Sequence, residues 1–207
     1  MNDAFDLIET MRLWHGRVRF ADRHAARMAS SSAALGWTFD AARWQRTLRE
    51  AAASEPDGAS LLRVVLGSDG AMTYALRPLV PLAAPVRLAG VPFDISDPLL
   101  PLKTTRRDRY DDAHAVAVGQ GADDALLVNA AGHVTETTRM NVFYRQDGRW
   151  HTPPLADGLL PGILRGVALE RGWATERVLR IEDVRLVEAW RVGNSARGFF
   201  EATVFAP

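Results

Sequence analysis

Cysteine is absent from the 207 residues, lysine occurs once, and neither sign of charge is in excess. The first absence excludes disulfides, thiolate metal sites and a cysteine nucleophile. The 25 basic residues balance 25 acidic ones without a long block of one sign, so the electrostatic footprint of a general nucleic-acid binder is missing. No run approaches the ~20 apolar residues of a membrane-spanning helix. The opening Met1-Asn2-Asp3-Ala4-Phe5-Asp6 lacks the basic start and apolar stretch of a signal peptide. The expectation is a soluble, cytoplasmic protein with no metal, nucleic acid or membrane among its partners. Hydrophobic residues make up 47% of the chain, enough to bury the core of one large domain or two small ones.

The other 24 of the 25 basic residues are arginine, which makes Lys103 the exception that needs a reason. A guanidinium stays protonated, whereas a desolvated lysine amine can lose its proton and attack a carbonyl to form a Schiff base. Lys103 is therefore the candidate nucleophile. The plain alternative is an ordinary surface lysine in an arginine-biased chain.

Phe5 to Trp14 and Arg17 to Phe20 read as short strands around His15-Gly16. Asp22 is placed to cap a helix that carries Ala25, Ala26, Met28, Ala29 and Ala33 as far as Gly36. Asp40 is placed to cap a second, with Trp44, Leu48 and Ala51 on one face, ending before Glu55-Pro56-Asp57-Gly58. Ser60 to Leu66 and Ala71 to Leu76 flank a hairpin turn, Gly67-Ser68-Asp69-Gly70. Pro78, Pro81 and Pro85 mark a linker, so a small lobe is expected over 1–80 and a larger one over 85–207. In the larger lobe Val86 to Ile95 reads as extended and the stretch after Lys103 as helical through Ala113 and Ala117. Further strands are expected at Ala125 to Val128, His133 to Thr138, Asn141 to Arg145, Arg149 to Thr152, Val178 to Ile181, Ala189 to Val192 and Phe199 to Phe205. Helices are expected from about Gly162 to Arg171 and from Asp183, which makes the class α+β.

Three more places have chemistry in them. Glu136 lies mid-strand, on the opposite face from Thr135 and Thr137, and is either a solvated strand glutamate or a buried carboxylate that needs a cationic partner. A protonated pyridine nitrogen is such a partner. Gly158 to Arg165 leads a glycine-bounded loop into a helix N-terminus, where free N–H groups and the helix dipole favour a phosphate, although most such termini bind nothing. The turn Asn194-Ser195-Ala196-Arg197-Gly198 offers a hydroxyl and amides to the same kind of group. Arg27, on a helix face of alanines and methionine, is either a phosphate clamp or an arginine that snorkels from a packed face.

An amine, a carboxylate for a ring nitrogen and three places for phosphate form an inventory. Its order and spelling resemble the class IV aminotransferase-like enzymes of pyridoxal phosphate fold type IV, which include branched-chain and D-amino-acid transaminases and 4-amino-4-deoxychorismate lyase. The resemblance runs over nearly the whole chain. Leu7-Ile8-Glu9-Thr10-Met11-Arg12 with Gly16 is similar to the family's first strand pair, and His24-Ala25-Ala26-Arg27-Met28 to its helix bearing the phosphate-binding arginine. Lys103 falls at the Schiff-base lysine, and Val134-Thr135-Glu136 with Asn141-Val142-Phe143 at the segment whose glutamate faces the pyridine nitrogen. Thr152-Pro153-Pro154 through Leu160-Pro161-Gly162-Ile163 is similar to the loop and helix that stack on the ring and hold its phosphate, and Ser195 matches the phosphate-binding hydroxyl.

The resemblance implies two lobes, a small N-terminal α/β lobe and a larger one built on a β-barrel-like sheet, with pyridoxal 5'-phosphate as cofactor and a homodimer as assembly. Lys103-Thr104-Thr105-Arg106-Arg107 with Tyr110-Asp111 looks most like the aminodeoxychorismate lyase branch, including lyase modules fused to the synthase that makes their substrate. Two departures are visible. The chain begins at the family's first strand, without the leader of longer relatives, and Leu164 stands where many transaminases have a threonine, offering only its backbone amide. The leading expectation is a lyase acting on 4-amino-4-deoxychorismate on the way to folate, with Arg107 binding a substrate carboxylate. Arg107 follows Lys103 by four residues and shares its helix face if the helix begins early enough. A transaminase of the same fold is the second reading, and a cofactor-binding protein without catalysis the third.

Overall fold

The computed structural model describes residues 4–55 and 58–205. Pro56 and Asp57, in the stretch before which the second helix is expected to end, and the first three residues of the opening stretch lie outside the described residues. Two compact units are present: the described residues up to Pro81 with Leu102–Arg106, and Leu82–Pro101 with those from Arg107 onward. The segment around Lys103 is thus part of the first unit although both its flanks belong to the second.

The first unit is built on an antiparallel sheet of β1 (Leu7–Trp14), β2 (Arg17–Val18), β3 (Ala59–Leu66) and β4 (Met72–Pro78), in the order β2-β1-β3-β4. The alternation of Leu62, Val64 and Leu66 along β3 buries one face, as a sheet covered by helices requires. Leu7, Met11 and Leu13 of β1 join them against Met28 of α1 (Ala21–Ala34) and Trp44, Leu48 and Ala51 of α2 (Ala41–Ser54). Asp40 caps α2 as expected, accepting from the Ala42 and Arg43 N–H groups at 2.8 and 3.0 Å. α1 differs. It begins at Ala21, after Phe20 in a left-handed conformation with φ 57°, and Asp22 sits in its first turn rather than at the cap. Its buried positions are His24, Met28, Ser31 and Ser32, not the alanine stripe.

The second unit contains β5 (Val86–Pro92), α3 (Asp108–Gly119), β6 (Asp124–Val128), β7 (Val134–Thr137), β8 (Asn141–Gln146), β9 (Arg149–Thr152), α4 (Ile163–Glu170), β10 (Thr175–Glu176), β11 (Ala189–Asn194) and β12 (Gly198–Val204). Its sheet runs β10-β9-β8-β11-β12-β5-β6-β7, and a further β7–β8 pairing closes six of these strands into a barrel-like ring. The closing pair is Glu136 opposite Asn141. Closure leaves these strands no open edge, and Leu88, Leu126, Val142, Tyr144 and Val192 pack into one core cluster. Residues 178–181 do not form the expected strand. They run past the turn before β7 with a single bridge, His133 to Arg180, and a short 3-10 helix begins at Ile181. Among the described residues no helix is long and apolar enough to cross a membrane.

Candidate active site

In the first unit β2 is only two residues long and covers β1 at Leu13 and Trp14 alone. The rest of that edge carries backbone groups that need partners. The Arg19 N–H donates to the Arg12 carbonyl, and Leu102–Arg106 serves the start of the edge. The Ile8 N–H donates to the Lys103 carbonyl at 2.8 Å, the Thr105 N–H to Asp6 O at 2.8 Å, and the Asp6 N–H to Thr105 Oγ1 at 2.9 Å. Lys103 is therefore held by its main chain on both sides, in a half-buried position.

One residue along β1, Glu9 is 1% exposed. Two side chains three residues apart on α1 reach it: His24 Nδ1 lies 2.6 Å from Oε2, and Arg27 donates through Nε to Oε1 at 2.7 Å and through Nη2 to Oε2 at 2.6 Å. Burial pushes the Glu9 carboxyl upward, but the Arg27 guanidinium and the bonds from Arg27 and His24 outweigh it and bring the group down to about 2. Arg27 thus neither snorkels nor floats; it is clamped. The sequence alone assigns no role to Glu9 or His24; a charged residue beside the apolar pair Leu7-Ile8 is the one signal that marks Glu9.

In the second unit Glu136 is 5% exposed, which removes the solvated alternative. Its Oε1 accepts the Leu160 N–H at 3.2 Å and the Tyr110 hydroxyl at 3.3 Å, and its Oε2 accepts from Asn141 Nδ2 at 3.3 Å. The same Asn141 nitrogen donates to Leu160 O at 3.2 Å, so both main-chain groups of Leu160 are latched to this cluster. Burial and then the Glu136 charge push the Tyr110 hydroxyl well above its ordinary range, so it stays a donor. No local pattern in the sequence pairs Tyr110 or Asn141 with Glu136; these contacts come from the fold.

Arg107 is not on a helix face with Lys103, because α3 starts at Asp108 and Arg107 is its cap residue. It is nonetheless fixed: Nη2 donates to Thr138 O at 2.6 Å and the guanidinium carbon lies 4.9 Å from the Tyr110 ring centroid. Arg106 is exposed. At the start of α4, Gly162 has no side-chain cap bond, and a Cβ there would fall 1.7 Å from Asn141 Oδ1. A Cβ at Gly193 would meet Leu164 Cδ2 at 2.8 Å, so the first turn of α4 lies against the strand leading into the Ser195 turn. Leu164 and Ser195 are buried, while Leu160 and Ile163 are half-buried. Of these four, Leu160 joins the Glu136 network directly, and Leu164 lies against Gly193, two residues before Ser195.

The sequence profile of class IV amino-transferases matches residues 6–204. The chain belongs to the class IV aminotransferase family. It is a pyridoxal phosphate-dependent enzyme of fold type IV, which leaves no need for the non-catalytic reading. A Schizosaccharomyces pombe protein named "Putative aminodeoxychorismate lyase" is 33% identical over 174 residues, 81% of this chain and 74% of that protein. A "Putative amino-acid aminotransferase" from Mesorhizobium loti is 37% identical, with a TM-score of 0.89 over 97% of this chain and 100% of the other. A "Putative 4-amino-4-deoxychorismate lyase" from Legionella pneumophila is 26% identical, with a TM-score of 0.84 over 96% of this chain and 82% of the other.

The donor set of this class IV chain suits its cofactor. A clamped arginine and an uncapped helix terminus offer donors to a phosphate. A buried carboxylate offers an acceptor to a pyridinium N–H, and a lysine an amine to an aldehyde. A side chain at Gly162 would collide with Asn141, which donates to Glu136, and one at Gly193 with Leu164 and the Gly198 carbonyl.

Proposed function

We propose that this enzyme is a lyase that splits 4-amino-4-deoxychorismate into 4-aminobenzoate and pyruvate, a step toward folate. The observation that carries the reading is the 33% identity, over 81% of the chain, with the fission-yeast lyase relative. The anchored Arg107 supports it, since the substrate has two carboxylates and an arginine fork suits one of them. Lys103 is the amine that holds the cofactor and, once released, the base that takes the proton from the substrate ring carbon bearing the amine. Glu136 keeps a proton on the pyridine nitrogen. Arg27, Ser195 and the first amides of α4, at Ile163 and Leu164, would hold the phosphate, and Leu160 would help to hold the ring. When bound, pyridoxal phosphate would supply an electron-poor ring able to share the electron pair left on that carbon until the pair forms the new ring double bond and the C–O bond to the enolpyruvyl group breaks. The enolpyruvyl group departs, takes up a proton and becomes pyruvate, and the ring left behind is aromatic. We assign the protein to the cytoplasm, as a homodimer.

A transaminase is the second reading, favoured by the 37% identity and full-length match to the Mesorhizobium loti structure. There Lys103 would move a proton between two carbons, and a keto acid would complete the cycle. A product assay separates the two. Pyruvate and 4-aminobenzoate formed with no added amino acceptor support the lyase, and strict dependence on a keto acid refutes it.

A further inference from the structure

We infer that Glu9 is a positioning residue for the cofactor phosphate: it orients the Arg27 guanidinium so that the edge it does not grip is presented to that phosphate. The inference rests on the reading of Arg27 as a phosphate holder and adds what makes that holder specific. Glu9 shares its face of β1 with Leu7 and Met11, both buried in the core of the first unit. A leucine or methionine in that slot would carry no desolvation penalty, and a buried ion pair is often no more stabilising than such a residue. The pair also carries a second cost, because His24 is 0% exposed and its Nε2 has no hydrogen-bond partner among the described residues. Stability alone does not explain the cluster.

Orientation does. Glu9 takes Arg27 side-on, through Nε and Nη2, which fixes the plane of the guanidinium and the direction of its Nη1 end. His24, at 2.6 Å from Oε2, fixes the carboxylate in turn. The arrangement gives up electrostatic attraction, because the Glu9 charge offsets that of Arg27, and gains a set geometry. The two roles predict opposite signs. Glu9→Gln adds one positive charge to the neighbourhood, so if charge alone held the phosphate, binding would tighten. If Glu9 sets the geometry, binding weakens.

The experiment titrates the apo-protein with pyridoxal phosphate and, separately, with pyridoxal, which lacks the phosphate, following absorbance at equilibrium. The ratio of the two dissociation constants measures phosphate selectivity. Glu9→Gln is expected to lower that ratio about tenfold, with the pyridoxal constant within about twofold of the native one. A merely structural role would move both constants together. Glu9→Asp keeps the charge and shortens the reach, and it is expected to lose selectivity as well, so the test stands if the glutamine variant does not fold. A ratio in the folded Glu9 variants equal to or above the native one overturns the inference. Arg27→Ala separates the two levels. If it loses selectivity while the Glu9 variants keep it, only the positioning role falls. If it keeps selectivity, the phosphate reading of Arg27 falls too.

Discussion

Replacing Glu136 by glutamine changes one atom of a cluster in which Leu160, Tyr110 and Asn141 all donate to the carboxylate. The amide oxygen can keep the Leu160 N–H and the Tyr110 hydroxyl, but the new NH2 then faces Asn141 Nδ2, itself a donor. Turning the Asn141 amide around would relieve that clash only by giving up its bond to Leu160 O. One hydrogen bond is lost either way, which costs about 1–3 kcal/mol of stability and several degrees in Tm. The catalytic effect is separate. A carboxylate paired with a pyridinium N–H is a charge-assisted bond of ~1.5–3 kcal/mol, so its loss should lower kcat by roughly 10- to 150-fold. Binding of pyridoxal phosphate should change little, because the phosphate donors are elsewhere. The assay is kcat for 4-aminobenzoate release by the folded, cofactor-saturated variant, beside its dissociation constant for the cofactor. Native kcat in that sample would refute the role given to Glu136.

Hydride reduction of the cofactor-loaded enzyme should place a stable label on Lys103, the one lysine side chain in the sequence; peptide mapping that finds the label elsewhere, or none, sinks the assignment. Arg107→Ala should raise KM for the dianionic substrate by tenfold or more, a loss on the order of 1.5–3 kcal/mol, with the cofactor spectrum unchanged. Arg106→Ala is the control, and small equal effects from both would end the substrate role. Acid unfolding should reveal Glu9: because its folded value of about 2 lies below its ordinary 4.5, it contributes stability that is fully present above 4.5 and lost as pH falls through 2. The contribution is on the order of 3 kcal/mol, so the stability gap between native protein and Glu9→Gln should shrink over that window; a gap independent of pH would contradict the buried ion pair.

What the sequence made legible is what local rules govern. Asp40 caps α2 through bonds to residues two and three positions away, and such a motif carries its own instructions. Lys103 stood out by composition, but its setting depends on strand partners such as Asp6, which pairs with Thr105 99 residues later in the sequence. Alternation placed Glu136 on a face but not its depth. Barrel closure and the Leu160 loop bury all four residues of β7, so the assumption of one wet face fails. The alanines of α1 suggested an apolar stripe, whereas Glu9, a residue on another element, selects the face carrying His24. Arg107 was sought on a helix that begins only at Asp108, five residues after Lys103, so the two share no helix face, and Arg107 is fixed instead by Thr138 O.

The chain leaves the first unit after Pro81, returns to it at Leu102 and leaves again after Arg106. A single cut at the proline-rich linker would therefore not give two self-sufficient fragments. The downstream piece would carry the lysine with no strand to dock it on, and the upstream piece would expose the backbone groups of Asp6 and of Ile8 in β1 that the lysine segment satisfies. Co-expressed halves would have to reassemble before Lys103 regains its setting, which makes the linker a natural point for a split reporter read by covalent cofactor capture. For the same reason the second unit cannot be exchanged with a relative's as a cassette unless residues 102–106 are matched to the β1 edge that receives them.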